Sequence, residues 1–303
     1  MYAYSSGVTS GLHFILSGRI RAIGLDPLSE EMKKGASMGI RAFDFLDNVH
    51  VWVLQISAVD LELCSRLMVR EELDRVARFC RSEDHDSFIV SHGVLRYLLG
   101  AYLQQEPVAI RFMSGPQGKP LLELEAGVEF NITHSGDLTA MAFSSRCPVG
   151  LDLERIRPFA QLEQIARHFL SAEEASEITS LNGAEQRRAF FRCWTRKEAI
   201  LKATGEGLSA SLDSFRVTLL PEEPARLVHI RGNNEAAEPW VLQDLTLPQD
   251  YTGALAYRGQ PGHATQFSIA DLPQFRKSGM KSTTPLSGDS RNRGTADARS
   301  GRS

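Results

Sequence analysis

The chain has 303 residues, a formal net charge of −3 and a hydrophobic fraction of 42%. These values suffice for one large or two modest globular domains with a buried core, and they exclude a low-hydrophobicity disordered chain. Four cysteines without a CxxC pair favour neither a disulfide framework nor a zinc site, and no apolar stretch is long enough for a signal sequence or a membrane span, so we expect a cytoplasmic protein with no membrane partner.

The two ends of the chain differ from its body. Residues 1–48 lack sustained apolar periodicity and are predicted to be a poorly ordered N-terminal extension. Residues 273–303 hold seven Lys or Arg against two Asp, so 272–303 is predicted to be a disordered basic tail. Such a tail can touch nucleic acid, but the body is acidic, so we expect no nucleic-acid partner.

The predicted elements of the first half begin with a strand at 50–57, which is rich in β-branched and aromatic residues. Apolar residues then recur at helical spacing over 59–80 and over 86–103, which predicts two helices. Two extended pieces around a Gly-Pro turn follow at 110–124, and two more strands at 129–145.

The second half repeats this plan about a hundred residues later. The helices predicted at 88–103 and 190–205 are both amphipathic and end near a glycine, and a closing strand follows in each half. We therefore predict an α+β fold, a pseudo-dimer of two similar α+β lobes at 49–148 and 149–271, with the active site at their interface.

Two carboxylates stand out in the strand predicted at 148–156. Asp152 and Glu154 alternate with three aliphatic residues, so both acids point to the same face of the strand, about 6.5–7 Å apart. Neighbouring carboxylates repel each other unless a cation lies between them, and hard oxygen ligands suit Mg²⁺. The alternative is an exposed edge strand with solvated acids.

The helix predicted from 193 to 204 carries Trp194, Glu198 and Lys202 on one face, at i, i+4 and i+8. An acid and a base on one helical face could serve a site. The alternative is an ordinary surface ion pair.

Further segments offer groups that could bind an anion. Thr133 and His134 end a predicted strand, and Lys119 lies on a tight turn. Arg78 is the middle one of three arginines spaced by three, which predicts a cationic stripe on one helical side. The alternatives are a structural histidine, a solvated lysine and a solvent-facing stripe.

Five motifs stand in a fixed order along the chain: GKP at 118–120, FNITHS at 130–135, VGLDLE at 149–154, FLSAEEA at 169–175 and WTRKEAILKATGEGL at 194–208. By this order, the chain resembles the 4′-phosphopantetheinyl transferases of the surfactin-synthetase-activating type, over roughly residues 50–270. The combination of G-x-D-x-E with W-x-x-K-E-x-x-x-K about forty residues later is highly specific.

The resemblance implies a Mg²⁺-dependent enzyme that moves the phosphopantetheine group of coenzyme A onto a serine of an apo acyl or peptidyl carrier protein. It implies three metal ligands: Asp152, Glu154 and Glu198. It implies catalytic roles for Glu198, Lys202 and Asp152, with Glu198 as the candidate base or a metal ligand only. It implies contacts with coenzyme A from Asp152, Lys202, Arg78, Lys119, Thr133 and His134.

One chain already supplies both lobes of such a site, so we expect a monomer. The carrier surface is expected near the cleft, along residues 160–187. Two other classes of protein remain as alternatives: a module that binds coenzyme A or a carrier without transfer, and an unrelated Mg²⁺-dependent phosphohydrolase. The phosphohydrolase would need a further nucleophile or acid cluster beside Asp152 and Glu154.

Overall fold

The computed structural model describes residues 48–115, 120–123, 127–205, 211–230, 240–259 and 264–278. Within these ranges the chain forms two lobes, each with a long helix and a β-sheet, which confirms the predicted α+β class. The predicted extension lies outside the described residues except for its last residue. The first lobe contains β1 (Val49–Gln55), α1 (Leu61–Arg66), α2 (Arg70–Val76), α3 (Ser82–Leu103), β2 (Phe112–Ser114), β3 (Pro120–Leu122), β4 (Glu129–Ser135) and β5 (Leu138–Ser144).

The second lobe repeats the order of the first. It contains β6 (Val149–Arg155), α4 (Leu162–Phe169), α5 (Ala172–Ser180), α6 (Gly183–Thr204), β7 (Phe215–Val217), β8 (Leu227–Ile230), β9 (Trp240–Asp244) and β10 (Tyr251–Arg258). The last strand, β11 (Ala264–Ser268), follows in the chain. Helices α3 and α6 both have 22 residues, and each ends at a left-handed residue, Gln104 and Gly205 respectively. The antiparallel pair β1–β5 in the first lobe corresponds to β6–β10 in the second.

The two sheets share an apolar core. Odd-numbered residues of β1 and β6 point into this core and meet those of β10 and even-numbered residues of β5 across the lobe junction. The opposite face of each sheet is covered by helix, since α3 packs on β4 and β5 and α6 packs on β6 and β10. Both sheets are therefore buried on both faces near their centres.

A close contact between β6 and α6 sets their separation. A Cβ atom placed on Gly150 would lie 1.8 Å from the Ala199 carbonyl oxygen and 2.4 Å from the Ala203 nitrogen. Only glycine permits this approach of two backbones. It brings the next residues of the strand, which carry the acids, against the last turns of the helix.

A buried cation–carboxylate pair occurs at the same place in each lobe. On α3, Arg96 pairs with Glu72 at 2.7 Å, and on α6, Lys197 pairs with Glu174 at 2.7 Å. Each glutamate also accepts the backbone N–H three residues earlier, at the start of its helix, as the last residue of a capping box does. Each cation donates to two backbone carbonyls and lies over a phenylalanine ring. Arg96 donates to Pro107 and Ile110 and lies over Phe112, whereas Lys197 donates to Leu212 and Phe215 and lies over the Phe215 ring.

The single helix predicted over 59–80 is wrong, because the structure has two short helices with a break at 67–69. Leu67 and Met68 are buried in this break. Glu72 turns back to the Val69 N–H and reaches Arg96, so a new helix begins there. Burial of Leu67 and Met68, and of Glu72 beside Arg96, therefore breaks the helix that the local periodicity predicts.

The C-terminal segment crosses back to the first lobe. Residues 264–268 fall within the range predicted for the second lobe, yet they form β11, which pairs in parallel with β1. Phe275 is fully buried and packs edge-on against Tyr97 of α3, and residues 276–277 bond to the segment before α1. Residues 272–278 therefore belong to the fold and not to the predicted disordered tail, because two of them bury apolar side chains. The rest of that tail lies outside the described residues.

Among the described residues, none of the helices combines the length and the apolar character that crossing a lipid bilayer requires.

We expect Gly150→Ala to destabilise the protein by about 1–3 kcal/mol or more, because the added methyl meets helix backbone, which cannot move aside locally. Differential scanning calorimetry measures this as a lower Tm. Gly253→Ala is the graded control, since its methyl would meet the Asp152 carbonyl oxygen at 2.9 Å and a Leu247 methyl at 3.0 Å, and it should cost less. An unchanged Tm for Gly150→Ala would contradict the close contact.

We expect a chain that ends at Gly259 to lose cooperative unfolding, because it lacks β11 and the buried Phe275. Loss of one buried phenylalanine alone typically costs about 3–5 kcal/mol. A chain that ends at Ser278 keeps both features and should unfold like the full-length protein. Thermal unfolding followed by circular dichroism distinguishes the two, and equal melting curves for both truncations would refute this role of the segment.

Candidate active site

Four charged side chains from β6 and α6 meet beside the lobe junction. Asp152 and Glu154 extend from the face of β6 that α6 covers, and Glu198 and Lys202 lie one turn apart on α6. The contact at Gly150 brings the strand and helix together. The structure thus joins the three predicted metal ligands and the predicted lysine in one place.

Asp152 is the most buried of these groups, with 6% of its surface exposed. Its Oδ1 atom accepts from Lys202 Nζ at 2.6 Å and from the Thr133 hydroxyl at 3.4 Å. Its Oδ2 atom is buried and has no hydrogen-bond partner. The alternative of an exposed edge strand with solvated acids is therefore wrong for Asp152.

Burial raises the pKa of Asp152 to about 7. The Lys202 ammonium works in the opposite direction, and the nearby Glu154 and Glu198 carboxylates add to the increase. The pKa of Glu198 is also raised, first by burial, with Lys202 opposing and Glu154 adding. The site therefore holds more negative charge than its single lysine balances.

Two unpartnered oxygens test whether these residues fit a cation. Asp152 Oδ2 and Glu198 Oε1 are both buried without a hydrogen-bond partner, and buried carboxylate oxygens in that state are costly unless a proton or a cation meets them. In the described part of the chain, no group of three or more His, Cys, Asp or Glu side chains is arranged to hold a metal as it stands. Asp152 is instead paired with Lys202. The donor set fits a hard divalent cation once these side chains reorient.

The predicted anion contacts are only partly brought to this place. His134 lies near the end of β4 with an exposed side chain. Protein atoms still cover part of its imidazole and lower the pKa of the ring. Asp84 and Glu154 oppose this decrease, and Lys202 adds to it. Thr133 is buried, and its hydroxyl faces Asp152. Lys119 lies outside the described residues.

Arg78 has an exposed side chain in the turn after α2. Because α2 ends at Val76 and α3 begins at Ser82, the three arginines do not share one helical side, and the predicted stripe is wrong.

Two polar residues of β4 at the site were not selected from the sequence. Asn131 accepts the Leu151 N–H at 2.9 Å, and Ser135 donates to Glu154 at 2.7 Å. Both share the face of Thr133, since residues 131, 133 and 135 alternate along one strand. The FNITHS motif contains this signal, because every second residue of the motif, Asn131, Thr133 and Ser135, has a side chain that can form hydrogen bonds.

Two adjoining grooves of about 560 and 480 Å³ begin directly after β6. Pro158 and Arg187 line both grooves, Phe159 and Leu162 line the larger one, and Ile156 lines the smaller one. These grooves lie along the segment expected to carry a partner surface, within a few residues of Glu154.

Comparison with known proteins identifies the family. Residues 148–256 match the model of the 4′-phosphopantetheinyl transferase superfamily, and residues 55–146 match a model described as 4′-phosphopantetheinyl transferase, N-terminal. These two ranges correspond to the two lobes.

Curated relatives agree with the family models. The chain is 35% identical to the 4′-phosphopantetheinyl transferase HetI of Nostoc sp. over 70% of this chain and 89% of that protein. It is 30% identical to the transferase psf-1 of Bacillus pumilus, over 71% and 94% of the two chains, and 34% identical to the transferase Sfp of Bacillus subtilis, over 49% and 65%. The predicted resemblance and enzyme class are confirmed: the chain belongs to the 4′-phosphopantetheinyl transferase superfamily and to its Sfp-like type.

Proposed function

We propose that this enzyme transfers the 4′-phosphopantetheine group of coenzyme A to a serine hydroxyl of an apo acyl or peptidyl carrier protein, with Mg²⁺ as its cofactor. The products are the holo carrier and adenosine 3′,5′-bisphosphate. The hydroxyl oxygen forms a bond to the β-phosphorus of coenzyme A, and the bond from that phosphorus to the bridging diphosphate oxygen breaks.

One observation carries the proposal: Asp152 Oδ2 and Glu198 Oε1 are buried without partners, and Lys202 lies beside them. A diphosphate bears several negative charges, and acids alone would repel it. Asp152, Glu154 and Glu198 would hold Mg²⁺, which would neutralise charge on the diphosphate and on these carboxylates. The acids and the lysine together thus suit a metal–diphosphate complex.

Lys202 has the freedom to change partner. Its side chain is 29% exposed, and its ammonium bonds to both Asp152 and the Leu151 carbonyl. When Asp152 engages a cation, Lys202 can turn to a phosphate oxygen, where its charge stabilises the transferring group. His134 offers a ring N–H at the exposed rim, and Arg78 and Lys119 remain predicted anion contacts.

Glu198 is our candidate for the base that accepts the serine proton. It lies on the rigid α6 helix, and in the metal-free protein burial raises the pKa of its carboxyl group. A carboxylate has two oxygens, so Glu198 could hold the metal through one and accept the proton through the other, directly or through a water.

We place the carrier surface along the grooves after β6, in the region of residues 156–187. The larger groove is lined by the apolar side chains of Phe159 and Leu162, together with Arg187 and Glu163. Phe169 at the end of α4 is 44% exposed. Apolar side chains of this kind suit the centre of a protein interface, and β6 leads from the acids directly to this surface.

We expect an apo carrier incubated with coenzyme A and Mg²⁺ to gain the mass of one phosphopantetheine group on its serine, and to gain none with EDTA. Asp152→Ala and Glu198→Ala should each reduce the rate by about 100-fold or more, because each removes charge stabilisation at the reacting phosphate. Intact-protein mass spectrometry measures the product.

Glu62→Ala is the matched control, because it removes an exposed acid paired with Arg66 on α1 and should leave the rate unchanged. No mass gain with any of several carrier classes, from a folded protein that binds coenzyme A, would favour the binding module instead.

We expect the metal-free protein to lose stability as pH rises from about 4 to about 7. The folded-state pKa of Asp152 is raised from 3.8 to about 7, so in this window the folded state holds a proton that the unfolded state has released. Asp152→Asn removes this term and should unfold at a higher urea concentration than the wild type at pH 8 in EDTA.

Mg²⁺ with coenzyme A should then raise the Tm of the wild type, because a ligand that binds the folded state stabilises that state. It should not raise the Tm of Asp152→Asn, because this variant lacks one of the carboxylates that would hold the metal. A wild-type unfolding free energy that stays flat from pH 4 to 8 would contradict the buried, proton-binding state of Asp152.

A further inference from the structure

The two lobes meet along β4 and β6 without a backbone ladder. In the described residues, β4 forms its ladder with β5 and β6 forms its ladder with β10, while the other edge of each strand faces the opposite lobe. Three side chains of β4 occupy this gap and bond to β6. Asn131 accepts the Leu151 N–H, Thr133 reaches Asp152, and Ser135 reaches Glu154.

The bonds of Ser135 have a defined direction. Its Oγ atom accepts the Arg155 N–H at 3.1 Å, and the same hydroxyl donates to Glu154 Oε2 at 2.7 Å. A hydroxyl has one proton to donate, and the amide already occupies an acceptor site, so that proton points to the carboxylate. The ionised form of Glu154 is the better acceptor, and one of its oxygens is fixed in this way.

We propose that Ser135 is a positioning residue for Glu154, which holds that carboxylate in the orientation needed to ligate the metal. This inference rests on the proposed function, because it gives Glu154 a metal to bind. In this role Ser135 acts through Glu154. Through its bond to the Arg155 amide it also ties the end of β6 to β4, so the orientation of Glu154 is set relative to both lobes.

The neighbouring bonds support a functional and not merely a structural role for Ser135. Asn131 is buried and fixes the backbone of β6 just before Asp152, which is enough to join the two strands at that point. Ser135 lies at the partly exposed end of β4, where water can replace the two hydrogen bonds of its hydroxyl, so their loss costs little stability. Hydrogen-bond partners of metal-binding side chains typically contribute 10–100-fold to metal affinity.

The test uses Mn²⁺ as a paramagnetic probe, titrated into the full-length enzyme with and without coenzyme A and followed by electron paramagnetic resonance. We expect Ser135→Ala to weaken Mn²⁺ binding by about 10-fold or more. Its Tm should stay within a few degrees of the wild type. Ser135→Thr keeps the hydroxyl and should restore affinity to within about threefold of the wild type.

Ser144→Ala is the matched control. Ser144 also accepts backbone N–H groups at a strand end, but it lies at the opposite end of the β4–β5 hairpin and bonds to Arg146 and Cys147. It should leave Mn²⁺ affinity unchanged. In a Glu154→Ala background, Ser135→Ala should add less than threefold, because the two residues act through one contact.

The half-saturating Mg²⁺ concentration for transfer should rise in Ser135→Ala by the same factor as the Mn²⁺ dissociation constant, with the KM for the carrier unchanged. If Ser135→Ala fails to fold, Ser135→Cys, a weaker donor of similar size, takes its place with the same expected loss. Equal Mn²⁺ affinity in the wild type and the variant would overturn the inference and leave the proposed function standing. A wild type that binds no Mn²⁺ even with coenzyme A would overturn both.

Discussion

The close approach of β6 and α6 at Gly150 is the constraint on which the site depends. Two acids come from the strand, and an acid and a lysine come from the helix, so the distance between these elements sets every distance in the site. The buried Lys197–Glu174 pair then fixes α6 along its axis, because Lys197 also donates to two carbonyls that lead into β7. Breaking such a buried pair typically costs about 3–5 kcal/mol, which makes this position hard to change.

The repeat of two lobes does not repeat the chemistry. The ion pair of α6 has its counterpart in Arg96 and Glu72, so the device that holds the long helix is common to both lobes. The residues that stand at the positions of the acids differ between the lobes. Trp52 stands in β1 where Asp152 stands in β6, and it is buried and stacked on Phe267 with ring centroids 4.5 Å apart. Aromatic packing thus fills in the first lobe the place that the second lobe keeps for charge.

Local patterns predicted the elements that carry the site, and long-range contacts decided the features that sequence analysis missed. The alternation in β6 and the helical spacing in α6 are properties of neighbouring residues, so both elements and their acids could be predicted. The break at 67–69 depends on Arg96, more than twenty residues later, and the role of Ser135 depends on how the lobes meet. No local pattern reports such partners. The pairing of β11 with β1 is the extreme case.

That pairing has a consequence for how the chain is made. Ribosomes release β1 roughly 200 residues before β11, which at 5–20 residues per second is a delay of about 10–40 s. During this delay the outer edge of β1 has no parallel neighbour, and the surface of α3 around Tyr97 lacks the Phe275 ring. The nascent first lobe therefore presents an open strand edge, the kind of surface that invites wrong pairing between chains. Strand β11 covers this edge only after the whole second lobe has been synthesised. The first lobe therefore gains its protection against wrong pairing late, together with the rest of the fold.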